Sequence, residues 1–303
     1  MALPTPHFDK LNALLDNDKL PGDDKERIDH AIEKYHEWIK GMTETEGDQS
    51  EIIDRLVSLL SGYKKFIDLD TIFDSESDFL YRQKGQLKLD NTVIEEFLPY
   101  LITKSLPQLG EEMYVGPQSC FSAAYFTSTL TRHENGGGLH IRTKDQDFTI
   151  AKKLFIQTSY DPSFREQVLA RETYLGYICA ECKTNLDKTM FQEASATAHD
   201  VKTAVPGAKY YLLCEWLDMT PISTAPTDID EVLLLRKAKR VGSQVRRHYA
   251  TYRGRQQVRE EYTEYLSDNP FAPDVFRRLV SHIEGVLNDQ DPDEGNVLSG
   301  GYF

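Results

Sequence analysis

Three features of the sequence predict an α/β fold: a mixed central β-sheet flanked by helices, with helical N-terminal and C-terminal parts. Apolar residues in the first hundred positions recur at helical spacing. Two apolar runs, residues 173–182 and 209–217, are too continuous for strands that face solvent. The residues between them have helical composition, so strand, helix and strand follow one another as in a right-handed βαβ crossover.

Taken in order, residues 23–40 place Ile28, Ile32, Tyr35 and Ile39 on one face of a 3.6-residue period. The polar stretch 41–50 reads as a loop. Ile52, Ile53, Leu56, Leu59 and Leu60 make 51–60 a second helix, and Asn91 or Thr92 is placed to cap a third that runs through Ile94, Phe97, Leu98 and Leu101. Character changes after Pro107, and the run from Met113 to Pro117 opens mixed structure. Three regions follow: a helical N-terminal region over 1–108, a core over 109–225, and a helical C-terminal region over 226–303.

Within the core, Gly136, Gly137 and Gly138 predict a flexible turn. Residues 140–160 contain β-compatible runs at 148–150 and 154–158, either adjacent strands or a strand followed by a short helix. Asp161 and Pro162 supply cap and first-turn signals for a helix over 161–171. A central strand over 173–182, a helix over 184–204 and a buried strand over 209–217 follow. Residues 228–287 read as mostly helical, and 288–303 as a loose tail.

Composition narrows the function. The 303 residues suffice for one large core or two modest ones. No apolar run approaches the roughly 18 residues of a membrane span, and the start of the chain has neither the basic nor the apolar part of a secretory signal. A cytoplasmic protein with reduced cysteines is expected, because four cysteines make no disulfide framework. The net charge of -14 argues against a polyanionic partner until its distribution is considered. Nine basic residues stand between positions 236 and 259 without one Asp or Glu: Arg236, Lys237, Lys239, Arg240, Arg246, Arg247, Arg253, Arg255 and Arg259. Such a run is a candidate DNA-contact stretch, with Arg236, Lys237, Lys239, Arg240, Arg246 and Arg247 as its leading members.

The chemistry centres on Glu181 and Lys183. Side chains alternate along a strand, so these two point the same way at its end and set a carboxylate beside an ammonium. Phosphodiester hydrolysis needs a hard cation to polarise the phosphoryl oxygen, and positive charge near the charge that develops. Mg²⁺ takes one or two protein carboxylates, so a second acid must converge. Asp147, at the start of a predicted strand, is the first candidate, Asp145 the second and Glu172 the third. Lys188 and Gln192, one helical turn apart after the strand, are candidates to support metal or phosphate. Cys179 and Cys182 are no zinc pair, since residues three apart in a strand face opposite ways. His140 and His248 are the histidines nearest this chemistry. There is no nucleophile motif, phosphate-binding loop or dinucleotide fingerprint.

Asp147 with Glu181-Cys182-Lys183 resembles the PD-(D/E)xK pattern of type II restriction endonucleases. The runs Lys144 to Phe148, Ala180 to Ala194 and Tyr114 to Pro117 resemble more closely the Bpu-ten-I group of these enzymes, related to BbvCI. The resemblance covers residues 110–220 well. It implies a restriction-endonuclease-like core and Mg²⁺-dependent cleavage of double-stranded DNA at a short interrupted sequence of the CCTNAGC type, by a subunit paired with a homologous subunit or with its own copy. Asp147, Glu181 and the Cys182 backbone carbonyl would hold the metal, and Lys183 would position or help deprotonate the attacking water. No Pro precedes Asp147, and the 34-residue step from Asp147 to Glu181 is longer than the family pattern. The rival expectations are a repair or structure-specific nuclease of the same class, and a non-catalytic DNA-binding partner subunit.

Overall fold

The computed structural model describes residues 3–288, 298, 299 and 301. Most of the expected tail, 288–303, therefore lies outside the described residues. The N-terminal part is helical: α1 (Pro6–Leu15), α2 (Gly22–Thr43), α3 (Gln49–Phe66), a wider π-type turn over Ile67–Phe73, α4 (Phe79–Leu87) and α5 (Thr92–Ser105). The expected loop at 41–50 shrinks to a few residues. Asp48 accepts the Glu51 N–H at 2.9 Å while the Glu51 carboxylate accepts the Asp48 N–H, a reciprocal cap that starts α3 early. Helices α1 and α4 escaped the sequence reading because each is short and only partly apolar.

The sheet has five strands in sequence order: β1 (Tyr114–Phe126), β2 (Leu139–Thr158), β3 (Leu169–Leu186), β4 (Lys209–Leu217) and β5 (Glu231–Leu234). The first three are antiparallel, and β3, β4 and β5 are parallel, so the sheet is mixed. Helix α6 (Lys188–Ala204) makes the crossover from β3 to β4; it starts four residues later than expected because Asp187 caps it, accepting the Met190 N–H at 2.9 Å. The C-terminal part adds α7 (Ser243–Arg246), α8 (Tyr252–Gln257), α9 (Arg259–Asp268) and α10 (Pro273–Leu287).

One expectation fails outright: 161–168 is a loop and 169–171 already belong to β3, so there is no helix over 161–171. The Asp161 carboxylate accepts the backbone N–H groups of Ser163 and Arg165 at 2.9 Å and of Glu166 at 3.1 Å, gathering the chain around itself. Phe164 and Gln167 take left-handed φ values of 55° and 52°, which a helix cannot contain.

The sheet is bent as well as twisted. The β1–β2 register shifts twice and the β2–β3 register once, and such bulges bend a strand. As a result the two ends of β2 meet: the Thr158 hydroxyl donates to the Gly136 carbonyl at 2.8 Å, and the Gly136 N–H to the Gln167 carbonyl at 2.7 Å. Gly136 must be glycine there, with φ 56° and a hypothetical Cβ only 2.4 Å from Leu169 Cβ. The predicted flexible turn is thus a buried joint.

Each face of the sheet is covered. On one side Phe148, Ile150, Ala180, Cys182, Tyr211 and Leu213 join a core with α1, α2, α3, α5 and α10. On the other, Cys179, Tyr210, Leu212 and Cys214 pack against Phe191, Ala194, Ala198 and Val201 of α6.

Candidate active site

The strands separate where the chemistry was expected. The last β2–β3 pair is Phe148 with Ala180; beyond it β2 continues beside β1, from Gln146 opposite Gln118, while β3 continues beside β4. At the same point the β1–β2 register shifts between Gly116 and Gln118, so Asp147 and Phe148 of β2 stand against Pro117 alone, a bulge that bends β2. The resulting fork leaves the Cys182 N–H without a strand partner on the β2 side.

Asp147 fills that gap. Its Oδ2 accepts the Cys182 N–H at 2.9 Å, and its Oδ1 lies 3.2 Å from the Lys88 ammonium. A strand residue's N–H and C=O point to the same side, so the Cys182 carbonyl faces the fork too. The Cys182 thiol lies in the core below, and burial pushes it far above its ordinary pKa, aided by the charges of Asp147, Glu95 and Glu181. Glu181 holds Lys183 at 2.5 Å through Oε1, and accepts the Tyr210 hydroxyl at 3.1 Å through Oε2.

Two of these groups were missed by sequence reasoning. Glu95, in the first turn of α5, is almost fully buried and is pushed up to about 7, first by burial and then by the Asp147 charge. Asn91 donates to it at 2.8 Å, and Lys88 stands 3.6 Å away. The available signal was Glu95-Glu96 inside the apolar run Val93 to Leu98, since charges in a buried helix need a reason. For Lys88 there was no signal, because it sits between two helices on the left-handed residue that closes α4.

The remaining candidates scatter. Asp145 is exposed and bonded to Ser119 of β1, one strand pair along from the fork. Glu172 is paired with Lys153 at 2.9 Å, nine residues up β3 from Glu181. Lys188 and Gln192 are exposed on the first turns of α6. His140 stacks on Tyr125, and His248 neighbours Arg247. All four cysteines are buried free thiols, with Cys179 and Cys182 on opposite faces.

The basic stretch needs correction. Arg236 is buried, bonded through Nε to Glu215 at 2.8 Å and stacked on Phe271, so it cannot reach DNA. Arg255 is likewise buried, on Asp78. Lys237 pairs with Asp274, Arg240 with Asp218 at 2.8 Å, Arg246 with Asp218 at 3.8 Å, and Arg259 with Asp74 at 2.6 Å. The run looked unrelieved because the acids come from other elements. Lys239, Arg247 and Arg253 are exposed and have no carboxylate partner among the described residues. Near the fork, a small cavity of about 50 Å³ is lined by Lys84, Arg240 and Arg246 together with Asp68 and Asp90, so cations and acids both adjoin the catalytic candidates.

Hard oxygen donors fit Mg²⁺ by type. Among the described residues no three His, Cys, Asp or Glu side chains gather into a closed metal cage, and Mg²⁺ needs only one or two carboxylates beside water and substrate oxygens. Asp147 is neutralised by the half-exposed Lys88 and Glu181 by Lys183.

Comparisons with known proteins give a family from sequence and a fold from structure. The model for the family described as Bpu10I restriction endonuclease matches residues 86–303. The structure is similar to that of the native BbvCI A2B2 tetramer, with a TM-score of 0.56 and 20% identity over 88% of this chain and 98% of that chain. No curated protein matches. Among the described residues no helix is long and apolar enough to cross a membrane.

Proposed function

The chain belongs to the Bpu10I restriction endonuclease family, and from that membership we propose a Mg²⁺-dependent type II restriction endonuclease subunit that cuts both strands of cytoplasmic DNA at a short interrupted sequence. The observation that carries this reading is Asp147 on the Cys182 N–H, beside Glu181 and Lys183. Asp147, Glu181 and the Cys182 carbonyl would hold Mg²⁺, which when bound supplies a Lewis acid for the phosphoryl oxygen and a more acidic water. Lys183 orients the attacking water from the same face as Glu181. Tyr210 fixes the Glu181 carboxylate, and Asp147 holds β2 to β3 at the fork. Lys239 and Arg247, exposed and without a carboxylate partner among the described residues, supply positive charge to the DNA backbone from the C-terminal region, with Arg240 and Arg246 available if they exchange Asp218 for phosphate.

One chain carries one such site, and cutting a duplex takes two. BbvCI is an A2B2 tetramer; this chain accordingly works beside a homologous subunit or a second copy of itself.

The test is incubation of the purified chain with phage DNA in Mg²⁺ or EDTA, alongside Glu181→Ala. Discrete metal-dependent fragments are expected, with a loss of at least about 100-fold in the variant, the scale of removing a charge-stabilising group. Nicking confined to one strand identifies half of a heteromer. Undiminished cleavage by Glu181→Ala overturns the assignment.

A further inference from the structure

Two carboxylates of the fork share one ammonium. Lys88 Nζ stands 3.2 Å from Asp147 Oδ1 and 3.6 Å from Glu95 Oε1, yet the Lys88 side chain is 51% exposed. Its main chain is fixed: the residue has φ 50°, and its carbonyl accepts both the Thr92 N–H at 3.0 Å and the Thr92 hydroxyl at 2.9 Å. A rigid anchor between α4 and α5 therefore carries a flexible four-carbon stem whose charged end can leave for water.

The Asp147 oxygen that Lys88 faces is the one the backbone leaves open, since the other oxygen is taken by the Cys182 N–H. An ammonium and a divalent cation drawn to the same oxygens repel each other at these distances. Lys183 is placed differently, because its partner Glu181 is also held by Tyr210, and Lys183 and Glu181 lie on the α6 face rather than beside α5.

We propose that Lys88 is the built-in counter-ion of the metal site. It neutralises Asp147 and Glu95 in the metal-free protein and withdraws into solvent when a divalent cation takes Asp147, so that it sets the metal concentration at which the site fills. The inference rests on the metal-dependent reading above, and its test separates the two.

Mn²⁺ and Ca²⁺ binding to the full chain without DNA, measured by calorimetry, provides a readout independent of cleavage. Lys88→Asn removes the charge while tolerating the left-handed backbone; Lys88→Gln serves if that variant does not fold. Lys88→Arg keeps the charge, and Asp147→Asn removes the site. Binding about three- to tenfold tighter is expected in the neutral variants, the scale of releasing exposed ion pairs, with Lys88→Arg within about twofold of wild type and Asp147→Asn not binding. Equal or weaker binding in Lys88→Asn, with loss in Asp147→Asn, overturns the role of Lys88 and leaves the metal site standing. If neither wild type nor Lys88→Asn binds metal, both readings fall.

Discussion

Two lysines in this protein each sit between two acids and differ most in their own exposure to solvent. Lys64 contacts Asp68 at 2.5 Å and Glu215 at 3.1 Å, is 1% exposed, and shares Glu215 with the buried Arg236. Lys88 contacts Asp147 at 3.2 Å and Glu95 at 3.6 Å and is 51% exposed. In the first cluster, burial would raise Glu215, but Lys64 and Arg236 outweigh it and hold the carboxyl below its ordinary value. Each charge there is needed by the others, because taking any one away leaves another stranded in a low dielectric. In the second, Lys88 itself reaches water and can leave, although its partner Glu95 is buried. The same residue types thus make a structural clasp between α3, β4 and the C-terminal region, and an exchangeable site at the fork.

The largest expected effect breaks the clasp. Lys64→Met leaves Asp68 and Glu215 without their shared ammonium and costs about 3–5 kcal/mol of stability. Lys88→Asn costs less, about 1 kcal/mol, because water replaces the half-exposed Lys88 more easily than the buried Lys64. Urea unfolding midpoints of the two variants check this. Comparable losses would show that exposure does not separate the two clusters.

A smaller effect concerns pH. Glu95 is pushed up to about 7, above its unfolded value near 4.5. The native state therefore binds the proton more tightly than the unfolded chain. The favourable contribution is full below pH 4.5 and is lost as pH rises through 7. Glu95→Gln escapes that loss, so it gains on wild type as pH rises from 5 to 8, by about 2 kcal/mol for a shift of this size. Glu96, buried on Tyr35, is also pushed up to about 7, first by burial, so the difference between variant and wild type is the quantity to follow. A difference that stays flat with pH would place Glu95 among the exchangeable, fully solvated acids.

Legibility followed how local each cause was. Strand β4 was read to the residue, and Glu181 with Lys183 was found, because alternation and apolarity are written in consecutive positions. The fork itself was not legible, since it depends on strand register, which ends the β2–β3 pairing at Phe148 and Ala180. Asp147 and Asp145 could not be separated until that register put Asp147 on Cys182. Glu95 and Lys88 reach the fork from helices more than fifty residues upstream in sequence. The loudest electrostatic signal, the run from Arg236 to Arg259, was the most misleading. Sequence shows a charge and hides its partner, and Asp74, Asp78, Glu215, Asp218 and Asp274 all come from outside the run.

The smallest effect carries the comparison onto the DNA surface. If exposure makes a cation exchangeable, Arg247, which is exposed, trades solvent ions for a phosphate, whereas Arg236, stacked on Phe271 and bonded to Glu215, does not. Arg247→Gln should leave stability unchanged and weaken binding to duplexes of any sequence by about the same modest factor. It should also lower the slope of log affinity against log salt by about 1, one phosphate contact's worth. Binding of a fluorescent duplex in Ca²⁺ across a salt series, with Glu181→Ala as background to prevent cutting, measures both. An unchanged slope would remove Arg247 from the interface, and a loss confined to one sequence would turn it from a phosphate contact into a reader of bases.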